Sequence, residues 1–486
     1  MSRSSVLLTV LLLTVSPVHA QQRTALIDAY MSVCAGDEQF SGAVLVADSA
    51  GVVFNKGYGE ANREWHMPNS PATKFRIGSV TKQFTAMLVL QMVRKGVLDL
   101  HAPVVRYLPD FPAATGKRIT LLHLLTHTSG LFNYTDIGDP GLQRRPFSPE
   151  ALIRLFADST LRFEPGTRWE YCNSGYILLG AILEKVTGKP YQQLLGENIF
   201  IPLDMKHSGV DAPEPVIEYR AAGYEQGPGG FINARFIDPS FAYSAGSVYS
   251  TTEDLYRWDR ALYGEQLLPH ALLDTLFGPR IRVEGGPPGG SLSYAFGWFT
   301  GYDRVGSTND STFVIKHGGR INGFTSLVVR MPATHGLIVL LHNGGGANLE
   351  EIARAIRGIL TGRDYALPRR SAARALRKAI AGSTKTEIAQ IFGHMKDSTT
   401  TYYVSENEMN GLGYALLGEK KLEQAIAVFR ATADAFPGSS NAYDSLGEAY
   451  AAHGDTGLAI QSYEKSVALN PANQNGRDAL KRLGNR

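Results

Sequence analysis

A serine and a lysine that could share a proton lie three residues apart at the start of a predicted helix. They are Ser79 and Lys82, in the segment FRIGSVTKQFTAMLVLQMVRKG. After Gly78, apolar side chains recur every three or four residues, which predicts a helix with one buried face. Residues so spaced share one side of a helix, so we expect Lys82 beside Ser79. A buried lysine gives up its proton more readily and could make the serine a nucleophile.

The Ser-x-x-Lys pattern alone does not identify an active site. A second copy, Ser462 and Lys465, lies near the C-terminus, where we interpret it as an accident of an exposed helix. Taken alone, Ser79 would more often be a helix N-cap, and Lys82 would be a surface lysine. The catalytic interpretation therefore depends on other motifs in the chain.

Two further motifs place polar side chains beside predicted elements. They are Tyr171-Cys172-Asn173, between a Pro-Gly turn and an apolar helix, and His317-Gly318-Gly319, at the end of a predicted strand. At these motifs, and in the flanking segments LLTHTSGL and AGSVYSTTEDLYRW, the chain resembles the serine β-lactamase and penicillin-recognising superfamily. The resemblance is to its class C-like branch, which includes D-alanyl-D-alanine carboxypeptidases, D-amino-acid peptidases and esterases. It covers roughly residues 25–360.

The resemblance implies a role for each polar side chain. Ser79 would attack a carbonyl and form an acyl-enzyme. Burial would lower the pKa of Lys82 towards the range of a base. Tyr171 would relay the proton to the leaving group if its own pKa is lowered, and whether Lys82 or Tyr171 is the base stays open. Asn173 would hold Lys82 and a substrate amide.

The resemblance also implies an oxyanion hole and a substrate-binding strand edge. The hole would consist of the backbone N–H groups of Ser79 and Arg320. Gly318 and Gly319 are expected to let the strand edge approach the substrate backbone closely.

The chain departs from the β-lactamase pattern at His317. Class C β-lactamases have Lys-Thr-Gly on this strand. Lys316 could be taken as the lysine of that motif, but Gly323-Phe324 downstream favours the register that begins at His317. Histidine is a conditional cation near neutral pH and a weaker clamp for a substrate carboxylate than lysine. This favours a peptidase or esterase over an efficient β-lactamase.

Neither a metal nor a cofactor is expected. His123 and His127 have the spacing of a zinc-binding helix, but the glutamate of His-Glu-x-x-His is absent. The Gly-x-Ser-x-Gly elbow of α/β-hydrolases is also absent, which excludes the main rival serine-hydrolase fold.

The elements that must position these residues come from both chain ends. Residues 40–62 predict a β-hairpin, residues 71–277 are mostly helical, and strands return before a last helix near residue 360. This order predicts an α/β (α+β) fold of the β-lactamase/transpeptidase type: an antiparallel sheet built from both chain ends, flanked by helices, with an inserted helical subdomain.

The C-terminal part of the chain repeats itself. Leu412-Gly413, Ala425, Phe429 and Pro437 recur 34 residues later as Leu446-Gly447, Ala459, Tyr463 and Pro471. This period resembles the tetratricopeptide repeat, so an all-α domain with two such repeats is predicted. We divide the chain into a hydrolase domain (21–362), a connector (363–405) and the repeats (406–486). The repeats would dock a protein partner or substrate, or else stabilise the chain.

The first 20 residues resemble a signal peptide. Arg3 precedes an apolar run from Val6 to Val15 that is too short to span a bilayer comfortably. We expect a secreted or periplasmic protein that begins near Gln21, with a retained anchor as the alternative.

The cysteine content and the net charge limit the kinds of partner that this protein could have. Cys34 and Cys172 could pair in an oxidising compartment, but two separately buried thiols are favoured. The net charge of +3 without a basic run argues against nucleic-acid binding. We predict a serine hydrolase for a small-molecule or peptide substrate. The alternative outside the enzyme class is a binding protein that captures peptidoglycan-like ligands.

Overall fold

The computed structural model describes residues 17–227, 230–283 and 291–484. Most of the predicted signal peptide lies outside these residues, and the first helix begins at Pro17, so the predicted cleavage after Ala20 falls within it. Within the described residues, the predicted fold class is confirmed: eight antiparallel strands from both chain ends form one sheet, and a separate helical domain follows it.

The strands of the main sheet occur in the order β3-β4-β5-β6-β7-β8-β1-β2. Their bounds are β1 Gly42–Asp48, β2 Gly51–Tyr58, β3 Ile281–Arg282, β4 Ser291–Tyr294, β5 Phe299–Arg304, β6 Ser311–Ile321, β7 Phe324–Met331 and β8 Gly336–His342. Short pairs lie outside it: Glu60–Asn62 with Met67–Pro68, Phe75–Arg76 and Gly209–Val210 with Val248–Ser250, Tyr224–Gly227 with Gly230–Asn233, and Arg370–Ser371 with Tyr402–Tyr403.

The helices are grouped around the sheet and in the C-terminal domain. The longer ones are α1 Pro17–Gly36, α2 Thr81–Arg94, α3 Asn173–Thr187, α4 Pro239–Gly246, α5 Thr252–Ala261, α6 His270–Phe277, α7 Leu349–Thr361, α8 Ala372–Ala379, α9 Lys385–Asp397, α10 Glu406–Gly418, α11 Leu422–Ala435, α12 Ser440–His453, α13 Thr456–Leu469 and α14 Gln474–Gly484. Shorter helices are Ala113–Gly116, Leu121–Leu125, Pro149–Arg154 and Tyr191–Leu195.

The two ends of the hydrolase domain meet in the centre of the sheet. β1 pairs with β8 from Gly42 opposite His342 onwards. Alternate residues of β1 enter different cores, because side chains alternate between the faces of a strand. Leu45 packs in the large core with the helical subdomain, whereas Val44 and Val46 pack beneath α1 and α7.

Helix α2 is buried far more completely than its sequence pattern predicts. Twelve of its 14 residues are buried, including polar Lys82, Gln83 and Thr85. The prediction of one buried face is therefore wrong. The reason is that α2 passes through the middle of the domain, in contact with α3, α4 and α6.

The C-terminal helices form two similar hairpins, as the repeat predicts. A Cβ at Gly413 would lie 2.5 Å from the Phe429 ring, and one at Gly447 would lie 3.0 Å from the Tyr463 ring. Each glycine thus lets an aromatic ring of the paired helix pack closely. The connector helices α8 and α9 join the same apolar core. A protein partner for the repeats stays a prediction.

The two thiols are free and buried in different cores. Cys34 packs with α1 and α7, and Cys172 packs in the helical subdomain. Among the described residues, no helix is both long and apolar enough to cross a bilayer.

Candidate active site

Ser79 lies in a tight turn immediately before α2 rather than in its first α-helical turn. The turn, Gly78–Val80, is a 3-10 helix that begins with Gly78 at a φ of 51°. A Cβ at Gly78 would lie 2.8 Å from the backbone nitrogen of Arg320. Glycine is needed here both for the positive φ and for the close approach of the turn to strand β6.

Lys82 lies one turn further on and points at the serine. Its Nζ is 3.0 Å from Ser79 Oγ, 2.9 Å from Asn173 Oδ1 and 2.8 Å from the carbonyl oxygen of Ala245. Burial lowers the pKa of Lys82 to about 7, and the nearby Cys172 thiol opposes this shift to a smaller extent. A substantial fraction of this amine is therefore neutral at neutral pH.

Tyr171 completes the group around the serine. Its hydroxyl interacts with the Ser79 side chain, and the Lys82 amine lies 4.9 Å from the centre of its ring. Proton relay by Tyr171 was predicted on the condition that the pKa of its phenol is lowered, and this condition is not met. Burial raises the pKa of Tyr171 well above its ordinary value. The phenol thus keeps its proton where Lys82 can lose one, which favours Lys82 as the base.

Asn173 is the first residue of α3, where the turn and the apolar pattern place a helix start. Its backbone N–H donates to Asn133 Oδ1 at 3.0 Å, and its Nδ2 donates to Thr135 Oγ1 at 3.3 Å. Because its Oδ1 accepts from Lys82, the side-chain amide is held at both its oxygen and its nitrogen.

Strand β6 brings an unpaired edge to the serine. β5 pairs with β6 only as far as Lys316, so residues 317–321 have a strand partner on one side only, which is β7. The Ser79 turn packs against this part of the strand, since a Cβ at Gly78 would lie 2.8 Å from the Arg320 nitrogen. The turn is attached to the sheet by Ser326 of β7, whose Oγ donates to the carbonyl oxygen of Ile77 at 2.7 Å. This arrangement brings the backbone N–H groups of Ser79 and Arg320 to the same cleft.

Gly319 has a structural role in addition to the one the sequence suggests, and the close approach of a substrate to the two glycines stays a prediction. A Cβ at Gly319 would lie only 1.9 Å from the Ile77 carbonyl oxygen, so this glycine lets the protein pack against itself. At Gly318, the nearest atom to a Cβ is the Ser326 carbonyl oxygen at 3.5 Å, which is an ordinary contact.

Gly319→Ala is therefore expected to inactivate the enzyme, and Gly318→Ala is its matched control. The added methyl must push β6 away from the Ser79 turn and so displace the Arg320 N–H, and loss of one oxyanion donor typically costs about 10²–10³ in kcat. Ester hydrolysis by both variants, with circular dichroism as a fold check, measures this. Equal activity of the two variants would contradict the role of Gly319.

His317 takes part in a chain of buried hydrogen bonds. The Cys172 N–H donates to His127 Nδ1 at 3.1 Å, so His127 donates from Nε2 to the Tyr294 hydroxyl, also at 3.1 Å. The Tyr294 hydroxyl then donates to His317 Nε2 at 3.0 Å. This leaves His317 Nδ1–H to donate to the Gly318 carbonyl at 2.6 Å. The chain uses its donors and acceptors consistently when both imidazoles are neutral.

The description of His317 as a conditional cation is therefore wrong. Burial, followed by the charge of Lys82, lowers the pKa of His317 to about 3. The same two causes hold the pKa of His127 well below its ordinary value. At neutral pH the first position of this motif carries no charge.

His127 is a site residue that the sequence reasoning missed. Its ring centre lies 4.3 Å from that of Tyr171, so it supports the phenol from behind. The helical spacing of His123 and His127 does not form, because the helix ends at Leu125 and His127 has a φ of 58°. His123 instead caps that helix through Thr120. His127 lies in the segment LLTHTSGL, which was taken only as a sign of the family resemblance.

Lys316 points away from the cleft. Its Nζ forms ion pairs with Asp303 at 2.9 Å and with Glu350 at 2.8 Å, and Lys316 itself does not line the cleft. It cannot serve as the lysine of a Lys-Thr-Gly motif. The described residues contain no group of three His, Cys, Asp or Glu side chains that could hold a metal ion.

The cleft itself is an open cavity of about 510 Å³. Its walls include Ser79, Tyr171, Asn173, Phe299, residues 317–320 and residues 347–350. The structure thus brings all the predicted site residues into one region: Lys82 lies behind the serine, and the others line the cleft.

Comparison with known proteins agrees with this geometry. The Beta-lactamase family model matches residues 24–362, and a Tetratricopeptide repeat model matches residues 440–473. The chain is 31% identical over 327 residues to Esterase EstB of Burkholderia gladioli, covering 60% of this chain and 81% of the esterase. It is 33% identical over 260 residues, 54% of its length, to a putative penicillin-binding protein PbpX of Bacillus subtilis, of which the match spans 62%.

A similar solved structure is D-amino acid amidase from Ochrobactrum anthropi SV3, in complex with L-phenylalanine amide. It superposes with a TM-score of 0.61 at 25% sequence identity, over 71% of this chain and 99% of the amidase. The resemblance noted in the sequence, including the repeats, is confirmed.

Proposed function

Since the chain belongs to the β-lactamase family and is a serine hydrolase, we propose that it is an exported amide or ester hydrolase. Its preferred substrates carry no carboxylate beside the scissile bond. The observation that supports this preference most strongly is the neutral, fully hydrogen-bonded His317 at the position where class C β-lactamases have lysine.

In the acylation step, neutral Lys82 takes the proton of Ser79 as the serine oxygen attacks the substrate carbonyl. The reacting groups are already within hydrogen-bond distance, 3.0 Å between Lys82 Nζ and Ser79 Oγ. The tetrahedral oxyanion accepts hydrogen bonds from the backbone N–H groups of Ser79 and Arg320. The proton that Lys82 has accepted then reaches the leaving amine or alcohol through the Tyr171 hydroxyl, which gives up one proton as it receives the other and so stays protonated.

In the deacylation step the same groups work on water. Lys82 removes a proton from the incoming water, directly or through Tyr171, and the oxyanion hole stabilises the second tetrahedral intermediate. Ser79 leaves with a proton returned by Lys82. Asn173 and Ala245 keep the lysine aligned, since both accept hydrogen bonds from Nζ.

The relatives support this substrate class without defining it. One of them is an esterase, and another is an amidase for D-amino acids. A neutral wall at His317 suits the acyl group of such an ester or amide. A β-lactam, whose carboxylate would lie against an uncharged ring, is suited less.

Substrate discrimination tests the proposal. We expect hydrolysis of p-nitrophenyl acetate and of D-phenylalanine amide, and weaker hydrolysis of nitrocefin. A missing hydrogen bond to a charged group is worth about 1.5–3 kcal/mol. We therefore expect kcat/KM for nitrocefin to be about 10- to 150-fold lower than kcat/KM for the neutral substrates. Intact-mass spectrometry with a penicillin is expected to show a slowly formed adduct on Ser79. Nitrocefin turnover as efficient as that of the neutral substrates would reject the proposed preference.

Export rests on the first 20 residues of the sequence. N-terminal sequencing of protein from the periplasmic or culture fraction is expected to give Gln21 as the first residue. A chain that keeps Met1 in the cell interior would contradict this part of the proposal.

A further inference from the structure

A second cavity lies where the C-terminal domain meets the hydrolase domain. Its volume is about 710 Å³. It is lined from four parts of the chain: the end of α1, the hairpin of Tyr224–Gly227 and Gly230–Asn233, the segment 342–352, and the connector with the start of α10. No group assigned to the hydrolase reaction lies in it.

The walls of this cavity are held together by a buried joint. Asp37 is 2% exposed, and its Oδ2 accepts from the backbone N–H of Ser371 at 2.8 Å. Its carbonyl oxygen accepts from Arg374 Nη1, also at 2.8 Å. Gln39 Nε2 donates to the carbonyl of Arg369 at 2.5 Å. Leaving a buried carboxylate without such partners is costly, so the joint keeps the connector against α1.

The second cavity adjoins the catalytic cleft. Ala347 and Asn348 line both of them, between β8 and α7. Each cavity falls within the range of about 300–1,000 Å³ that is usual for small-molecule sites, whereas the two together exceed it. One molecule that reaches from Ser79 across Asn348 would therefore be longer than the acyl group of a simple ester.

The lining of the second cavity matches peptide chemistry. It presents side-chain amides, aromatic rings and charges of both signs: Gln226, Asn407, Phe231, Tyr403, Glu351 and Arg369. A side-chain amide both donates and accepts, as a main-chain peptide group does. Aromatic rings offer apolar faces for side chains. The mixed charges give no preference for a strongly acidic or basic ligand.

We propose that this interdomain cavity is a subsite for a peptide segment remote from the scissile bond. The catalytic cleft would hold the reacting carbonyl, and the connector and α10 would bind residues further along the same substrate. The inference rests on the proposed function, and it adds substrate length and a binding role for the C-terminal domain.

The test compares a short and a long substrate in full-length variants. Asn407→Trp places an indole in the cavity from an exposed position in the first turn of α10. Gln390→Trp, an exposed position on α9 outside both cavities, is the matched control. The substrates are D-phenylalanine amide and a hexapeptide in which the same D-phenylalanyl bond is extended on both sides. p-Nitrophenyl acetate reports on the acyl-enzyme chemistry alone.

The expected result is a kcat/KM about tenfold higher for the hexapeptide than for the amide in the unmodified enzyme, or about 1.4 kcal/mol of binding free energy. Asn407→Trp should lose this advantage and keep p-nitrophenyl acetate hydrolysis, while Gln390→Trp should match the unmodified enzyme. Gln226→Trp, on the hairpin that lines the same cavity, should repeat the effect if Asn407→Trp folds poorly.

Two results would overturn the inference. One is equal efficiency for the hexapeptide and the amide in the unmodified enzyme, and the other is an advantage that survives both cavity-filling substitutions. Failure to hydrolyse p-nitrophenyl acetate, the amide and the hexapeptide would instead reject the proposed function itself, and the inference with it.

Discussion

Ser79→Ala is expected to abolish turnover of esters and amides while leaving the fold intact. Removing the nucleophile of a serine hydrolase typically costs about 10⁶ in kcat, because no other group can form the acyl-enzyme. The hydroxyl contacts Lys82 and the Tyr171 phenol at the mouth of the cleft, and no apolar packing depends on it. The measurement is the rate of p-nitrophenyl acetate hydrolysis, with intact mass after incubation with a penicillin.

The chain supplies a matched control for this substitution. Ser462 and Lys465 repeat the Ser-x-x-Lys pattern in α13, where Ser462 Oγ donates to the carbonyl of Leu458 inside its own helix. Ser462→Ala is expected to leave activity unchanged. If Ser79→Ala kept more than about one hundredth of the activity, or lost no more than Ser462→Ala, a different nucleophile would have to be sought.

Lys82→Met is expected to lower kcat/KM by about 10²–10⁴, the usual contribution of a general base. The unmodified enzyme should also show a characteristic pH dependence. Burial lowers the pKa of Lys82 to about 7, so below that pH the amine is protonated and cannot accept the serine proton. Activity should therefore rise with pH through about 7 and then level off. The measurement is kcat/KM for a neutral ester between about pH 5 and about pH 9, a range that brackets the pKa of Lys82.

Two further variants separate the base from the charge. Lys82→Arg keeps a cation but has no accessible neutral form, so it should be inactive across the same pH range. Lys465→Met, in the second copy of the motif, should behave like the unmodified enzyme. An acidic limb near pH 7 that persists in Lys82→Met would assign the titration to another group.

Much of the fold and of the active site was predictable because short motifs and local periodicity determine them. The spacing of Ser79 and Lys82 placed them at one helix start, and strand patterns in residues 40–62 and in the segments before the last helix predicted strands from both chain ends. The 34-residue period predicted helical hairpins, since each glycine that repeats at that distance lies under an aromatic ring. These features depend on neighbours along the chain, and so they are visible in the sequence.

Only the tertiary structure decided the properties that depend on distant neighbours. Gly319 is required because Ile77, from the other end of the domain, lies against it, and no local pattern reveals that contact. The neutrality of His317 follows from burial beside Lys82 and from a hydrogen-bond chain through Tyr294 and His127. A pKa is determined by desolvation and nearby charge, and both are set by which segments the fold brings together.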